Sequence, residues 1–540
     1  MYSEIENPER WVLPLVLKEQ AALHGCRDWV SDSDGDSMTF AQAEVRALRA
    51  GQFLRHHGTV AKDRVGIFMY NSCDFVSAWL GLGYINATAV LFNSELRGAF
   101  LSHQINDAGI RCIVIEDSLM PVLEEIWELI PLLKTVVVRS GGSADAKLDL
   151  TTLPDTWDVV HWGEHEEMVP VEPIVPAASD IACVMYTSGT TGPSKGVLMP
   201  HAHCTAYGIG TIECVSLKED DRYYICLPLF HVNGLMMQLG ATLLAGIPVF
   251  IRSRFSASEW LNDVIERQTT VTNFIGSTTA FTIAQPETPR DNQHNVRAII
   301  AAPTPPSQEE VLRTRFAIPD VLSAYGMTEV NIPVWGRLGS VDPGAAGWTH
   351  TKRFEVQIVN PETDLPVPAG VSGEIVVRPK VAFAFMAGYL NRPDATAEAC
   401  RNLWFHTGDA GVMDGSGRLT FLDRIKDTIR RRGENIAAAE IEGVVSTIEG
   451  VSDVAAYAVK SDIEGAEDEV MLSIVVEPGM ELDATSVAAE AASLLPRFAR
   501  PRYIRFVDTL PKTATGKTQR AVLRKQGITQ ETHDLAPRRS

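Results

Sequence analysis

One stretch limits the possible folds more than any other: YTSGTTGPSKG at 186–196, running directly out of the apolar segment IACVMY at 181–186. A short apolar run that ends at glycine reads as a buried strand. A glycine- and hydroxyl-rich loop at a strand end is where α/β sheets place their ligands. Gly189, Gly192 and Gly196 permit backbone conformations closed to other residues, so successive N–H groups can face one anion. Thr187, Ser188, Thr190, Thr191 and Ser194 add hydroxyls, and Lys195 adds a mobile positive charge. The P-loop pattern does not fit, because Ser194 rather than Gly precedes the lysine and Gly196 rather than Ser or Thr follows it. Taken alone, such a run is equally a surface loop.

The rest of the chain supports an α/β reading. Helical patterns dominate from Trp11 to about Ala61; then VGIFMYN, AVLFN, CIVIED and TVVVRS alternate as strand candidates with helical segments such as that of Phe75, Trp79 and Leu80. That alternation predicts a doubly wound parallel sheet. Residues 143–178, rich in Pro, Asp and Glu, read as a surface connection. A second αβ series follows through HAHCTAYGIG, YYICLPL, WLNDVIERQ, TNFIG and RAIIAAP, similar in rhythm to the first but without a sequence repeat. After Gly326 short strands separated by Pro and Gly predict a β-rich subdomain. The expected architecture is thus a large lobe over 1–422, made of two doubly wound αβ subdomains and a β-rich one. A small α+β domain over 423–540 follows, with a frayed polar tail after Gln526.

Composition narrows the partners. A net charge of -20 disfavours nonspecific nucleic-acid binding and adhesion to an anionic membrane, leaving only a confined cationic site for a phosphorylated ligand. The 8 cysteines show no C-x-x-C spacing, so neither a zinc site nor a disulfide framework is expected. MYSEIENPER lacks a basic-then-apolar signal pattern, and a cytoplasmic location is the expectation. The most apolar run, Gly234 to Ile251, is interrupted by Gln238, Gly240, Gly246 and Pro248 and divides into a helix and a strand rather than a membrane span.

Five further motifs follow the loop in order: PLFHVNG at Pro228, SAYGMTE at Ser323, WFHTGD at Trp404, LDRIKDTIRRRGEN at Leu422 and PKTATGK at Pro511. Together the six resemble the adenylate-forming superfamily of acyl-CoA synthetases, luciferases and peptide-synthetase adenylation domains. The LDR…RGEN stretch is most similar to acyl-CoA ligases of the carnitine and crotonobetaine type. The resemblance implies ATP (leaving AMP), Mg2+ and coenzyme A as reactants and cofactor, and a small-molecule carboxylic acid or its adenylate as substrate. The acid is first joined to the α-phosphate of ATP as an acyl-adenylate and then transferred to a thiol. Charge that develops on phosphoryl oxygens calls for a cation and preorganised donors.

Carried onto this chain, the resemblance assigns Glu329 to magnesium, Thr328 to a phosphate, Tyr325 and the Ala301, Ala302, Pro303 turn to adenine, and Gly326 and Met327 to cofactor binding. Asp409 is expected to accept both ribose hydroxyls, with Arg424 beside it. Lys517 is expected to reach the carboxylate and α-phosphate. His231 is expected beside the acyl pocket, as a gate, with Val232, Asn233, Gly234, Asn273, Gly276 and Ala324 lining it. The small domain is expected to be mobile, turning about Lys426 so that Arg432, Gly433 and Glu434 line a pantetheine tunnel. His201, His203 and His406 do not form a metal cluster by spacing and read as structural.

Two positions depart from the family pattern. Ala301 stands where Gly is usual, adding a methyl group on the nucleotide side, and Arg432 replaces the first of two glycines before Glu-Asn. Three activities therefore stand: a complete carboxylate-CoA ligase, a variant specialised for thioesterification of a preformed adenylate, and an adenylation enzyme loading a carrier protein. The substrate expectation is a medium or bulky apolar acid.

Overall fold

The computed structural model describes residues 1–141, 154–170, 172–187, 193–302, 304–424, 428–463, 465–512 and 518–535. Two compact units emerge. The first comprises Met1–Ser94, Ile105–Tyr186 and Gly196–Asp423; the second comprises Glu95–Gln104, Thr187–Lys195 and Arg424–Ser540.

The first unit contains two large sheets of the same design. In one, Arg64–Phe68 lies centrally, with Thr88–Leu91 on one side and Cys112–Glu116, Thr135–Arg139 and Asp158–His161 in succession on the other. In the other, Tyr223–Ile225 is central, with Val249–Ile251 on one side and Val271–Phe274, Ala298–Ala301 and Asp320–Leu322 on the other. Both sets pair in parallel, as the alternation predicts. The order in which strands are added reverses beside each central strand, so each sheet has a switch point, the place at the carboxyl ends of the strands where such sheets hold ligands. The repeat that the sequence hides is a repeat of topology.

Each sheet is extended by strands from elsewhere. Ile181–Thr187 pairs in parallel with Thr88–Leu91 and is followed in the sheet by Lys195–Pro200 and Gly388–Tyr389. Asp28–Asp32 and Ser37–Thr39 form a hairpin on Val249–Ile251 of the second sheet. This corrects the helical reading of the N-terminal segment: helices Leu13–His24 and Phe40–His56 are present, but the hairpin between them belongs to a sheet built mostly from residues 223–322. Likewise the 143–178 segment is more than a connection, since Asp158–His161 is a sheet strand and Trp162 and His165 after it are buried.

Helix Cys73–Tyr84 is buried along nearly its whole length and packs on Phe40–His56; where they cross, a Cβ on Gly51 would lie 2.7 Å from the Gly81 carbonyl oxygen. The membrane-like run resolves into a π-helix, Asn233–Leu239, then helix Gly240–Ala245 and strand Val249–Ile251. No helix among the described residues is long and apolar enough to cross a membrane.

From Ala324 the chain forms the expected β-rich part, a seven-stranded sheet including Ala324–Met327, Asn331–Trp335, Ser372–Pro379, Phe405–Met413 and Arg418–Arg424. The second unit holds a hairpin of Thr428–Arg431 and Glu434–Ala437 and a four-stranded sheet with helices Ala438–Val445, Ala484–Leu494 and Arg520–Gln526. The polar tail is not simply frayed. His533–Asp534 pairs antiparallel with Tyr503–Ile504, and Arg502 holds Asp534 by an ion pair at 3.3 Å.

Candidate active site

The motif turn after Tyr325 is built on helix His201–Val215. His203 and Tyr207 are one helical turn apart and share a face. Tyr207 donates its hydroxyl to the Met327 carbonyl at 2.7 Å, and His203 Nε2 lies 2.9 Å from the Thr328 carbonyl oxygen. A carbonyl only accepts, so His203 carries its proton on Nε2. Its Nδ1 is then free to accept from Asn331 Nδ2 at 3.4 Å, which also donates to the His203 carbonyl at 3.1 Å. Burial pushes the His203 pKa down to about 4, against the raising effect of the carbonyls of Thr328 and Ala384, so the ring stays neutral. The turn is tight: a Cβ on Gly326 would stand 2.3 Å from the Asn331 carbonyl oxygen, and Asn331 takes a φ of 71°. His203 is therefore structural, as expected: it fixes the Thr328 carbonyl while Tyr207 fixes that of Met327.

Two carboxylates are buried at this site, each oriented by a tyrosine. Glu329 is 4% exposed and accepts the Tyr389 hydroxyl on Oε1 at 3.0 Å. Tyr389 lies opposite Val197 in the strand that follows the glycine-rich loop. Asp409 is 3% exposed and accepts the Tyr325 hydroxyl on Oδ2 at 2.7 Å. Phe421 stacks on the Tyr325 ring with centroids 6.1 Å apart. Behind Asp409, Glu374 accepts from the Gly408 N–H at 3.0 Å and pairs with His406 Nδ1 at 2.9 Å, fixing the HTGD segment. Tyr389, Phe421 and Glu374 were not visible as site residues; each lies far along the chain from the group it serves.

A third cluster lies where Tyr223–Ile225 and Val271–Phe274 end. Asn71, 4% exposed, donates to the carbonyls of Leu227 and Arg252 and accepts from the Leu229 N–H at 2.7 Å, clamping the PLFHVNG turn from the other sheet. The turn and the helix start are in close contact, because a Cβ on Gly234 would meet the Pro228 carbonyl oxygen at 2.4 Å. His231, Val232 and Asn233 are half-buried, and the His231 ring meets Phe230 edge-on at 4.6 Å. Tyr223 donates to Asn273 Oδ1 at 2.6 Å; Asn273 Nδ2 donates to Asn233 Oδ1 at 2.9 Å; Gln238 Nε2 donates to the same oxygen at 3.2 Å. Gly276 opens helix Gly276–Ile283, and Ala324 is half-buried at the start of its strand.

Ala301 ends its strand at 1% exposure and belongs to the apolar cluster of Phe274, Ile299 and Leu227, while Ala302 is half-buried. Its methyl group is therefore part of the core. Thr187 and Lys195 are half-buried on either side of the loop. Ser188, Gly189, Thr190, Thr191, Gly192, Pro303, Lys426 and Lys517 lie outside the described residues, as does the side chain of Arg424. In the second unit, Ser194 donates its N–H to Glu440 Oε1 at 2.7 Å and accepts from Gln104 Nε2 on its hydroxyl at 3.2 Å. Arg432 is exposed at a φ of 55° and Gly433 follows at 82°, the two central residues of a tight hairpin between the paired Arg431 and Glu434.

Two buried carboxylates, each oriented by a tyrosine, thus lie in the β-rich part of the first unit, Glu329 in the turn after Ala324–Met327 and Asp409 in strand Phe405–Met413. Residues 17–390 match the family of AMP-binding enzymes and residues 440–517 the AMP-binding enzyme C-terminal domain, so the chain belongs to that family and is an enzyme of the AMP-forming acid-CoA ligase class. Long-chain fatty acid transport protein 1 of Mus musculus is 28% identical over 92% of this chain and 80% of its own length. The medium/long-chain-fatty-acid-CoA ligase FadD6 of Mycobacterium tuberculosis is 27% identical over 96% and 86%. A crotonobetaine/carnitine-CoA ligase of Salmonella typhi is 26% identical over 89% and 91%, so that type is one relative among several. In fold, the o-succinylbenzoate CoA synthetase MenE of Bacillus subtilis superposes with a TM-score of 0.79 at 24% identity, covering 96% of this chain and 98% of that one.

Proposed function

We propose that the protein is a complete carboxylate-CoA ligase: it couples an organic acid to AMP with release of pyrophosphate, then transfers the acyl group to the thiol of coenzyme A. The observation that carries this reading is the Tyr325–Asp409 hydrogen bond at 2.7 Å. It presents a buried carboxylate, fixed in orientation, as an acceptor for a ribose diol, next to an aromatic face suited to a purine.

Glu329, a buried hard-oxygen donor steadied by Tyr389, suits Mg2+, which when bound neutralises charge on the phosphates. Thr328, with its carbonyl held by His203, offers its hydroxyl to a phosphate. The loop of Thr187 to Gly192 and Lys195 receives the phosphates. Lys517 meets the developing charge in the first step, and the 423–540 domain, turning about Lys426, brings Arg432, Gly433 and Glu434 to the pantetheine arm in the second. The packing of Ala301 into the core favours a complete enzyme over one limited to thioesterification.

The acid is proposed to lie between His231 to Gly234, Asn273, Gly276 and Ala324. Relatives named for long-chain fatty acids and for crotonobetaine or carnitine match at similar identity, so the substrate class rests on the pocket: a medium or bulky acid with an apolar body. Incubation with ATP, Mg2+, coenzyme A and candidate acids, followed by mass measurement, tests the reading. An acyl-CoA product is expected. Transfer only to a phosphopantetheinylated carrier protein would overturn the choice of acceptor.

A further inference from the structure

The side-chain chain running from Tyr223 to Asn233 has a fixed direction. Tyr223 is buried and has no other acceptor among the described residues, so its hydroxyl proton must go to Asn273 Oδ1. Burial raises its pKa well above the ordinary phenol value, which keeps that proton in place. With its oxygen occupied, Asn273 can only donate onward, and Asn233 Oδ1 receives both that bond and the one from Gln238. Reversing the amides would leave the tyrosine proton buried with nothing to bind. The amide of Asn233 is thereby locked with its Nδ2 as the free end.

That Nδ2 donates to nothing among the described residues, and Asn233 is half-buried beside His231 and Val232, at the mouth of the cluster. Gln238 contributes to the arrangement at a cost. It is 0% exposed, and its Oε1 has no hydrogen-bond partner among the described residues. A buried acceptor left without a partner costs about 1–3 kcal/mol. It is tolerated here on an irregular π-helical turn, a form that recurs at functional sites. The expense fixes Asn233 and adds nothing to the apolar core.

We propose that Asn233 is a specificity-determining residue, donating from Nδ2 to an acceptor oxygen carried by the acyl group away from its carboxylate. The preferred acids are keto or hydroxy acids rather than the unsubstituted acids of the same skeleton. An unsubstituted chain covers Nδ2 without pairing it, and leaving a buried donor dry is what gives such sites their selectivity. Tyr223, Asn273 and Gln238 are positioning residues that act through Asn233. The inference rests on the reading of this cluster as the acid-binding end of the site.

The test is kcat/KM for thioester formation with matched sets of acids: keto, hydroxy and unsubstituted forms of one skeleton, in straight-chain and cyclic series. The wild-type enzyme is expected to favour the oxygenated members by about tenfold to a hundredfold. Asn233→Asp keeps both incoming hydrogen bonds but replaces the outward donor with an acceptor. It is expected to turn against keto acids more strongly than against hydroxy acids, which can donate to it. Gln238→Met and Tyr223→Phe, which loosen the lock, should each move the keto-to-unsubstituted ratio toward one, a change that general loss of folded enzyme would not produce. Thioester formation with equal efficiency for oxygenated and unsubstituted acids would overturn this inference while leaving the ligase reading intact. Absence of product from every acid would instead remove the reading beneath it.

Discussion

His203 illustrates how one side chain links pH, stability and the site. Its ring and that of His201 are buried, and burial holds each pKa down to about 4 from an ordinary 6.5. Because the folded pKa lies below the unfolded one, the unfolded chain binds more protons between those values, and stability falls as pH is lowered through that window and is fully present above it. Urea denaturation should show a loss on the order of a few kcal/mol between about pH 7 and about pH 5. His203→Gln can still donate to the Thr328 carbonyl but does not titrate, so its profile should be shallower. An unchanged slope would contradict the neutral, buried state of the ring. Tyr389→Phe removes the hydroxyl from Glu329 Oε1 and should raise the Mg2+ concentration for half-maximal activity by about tenfold, given the usual strength of a hydrogen bond to a charged group. An unaltered Mg2+ dependence would separate Glu329 from the metal.

The elements carry the part of the site that no single residue does. The PLFHVNG turn and the π-helical start after it are in contact through Gly234, so Gly234→Ala forces a Cβ into the Pro228 carbonyl. A cost of about 1–3 kcal/mol in denaturation is expected from such overpacking, with a displaced His231 and a lower kcat/KM. Normal stability would mean that the turn gives way freely. Much at this scale was legible in the sequence. The apolar runs at 65–68, 112–116 and 181–186 announce strands, and the glycine-rich loop and the YGMTE and HTGD motifs are contiguous, so their residues can be named without a structure. The Asp28–Thr39 hairpin was not legible, because its partner strand, Val249–Ile251, is remote in sequence and short strands carry no strong local pattern. The same limit hid Tyr389, Phe421 and the polar chain from Tyr223 to Gln238: hydrogen bonds across distant segments leave no periodic trace.

At the scale of the whole molecule, two sheets of one topology and a β-rich sheet frame a site whose buried carboxylates come from the β-rich part and its edge turn. Asn71, just past the end of the Arg64–Phe68 strand of the first sheet, clamps the turn that follows the central strand of the second. A ligase that activates its own acid must perform the first half-reaction without coenzyme A. The most direct measurement is therefore acid-dependent exchange of labelled pyrophosphate into ATP, in the absence of thiol, for the native protein and for Glu329→Gln. Exchange is expected with an acid that also yields a CoA thioester, with a loss of about a hundredfold or more in the variant. Efficient conversion of a preformed acyl-adenylate to its thioester, with no exchange for the corresponding acid, would contradict the reading as a complete ligase.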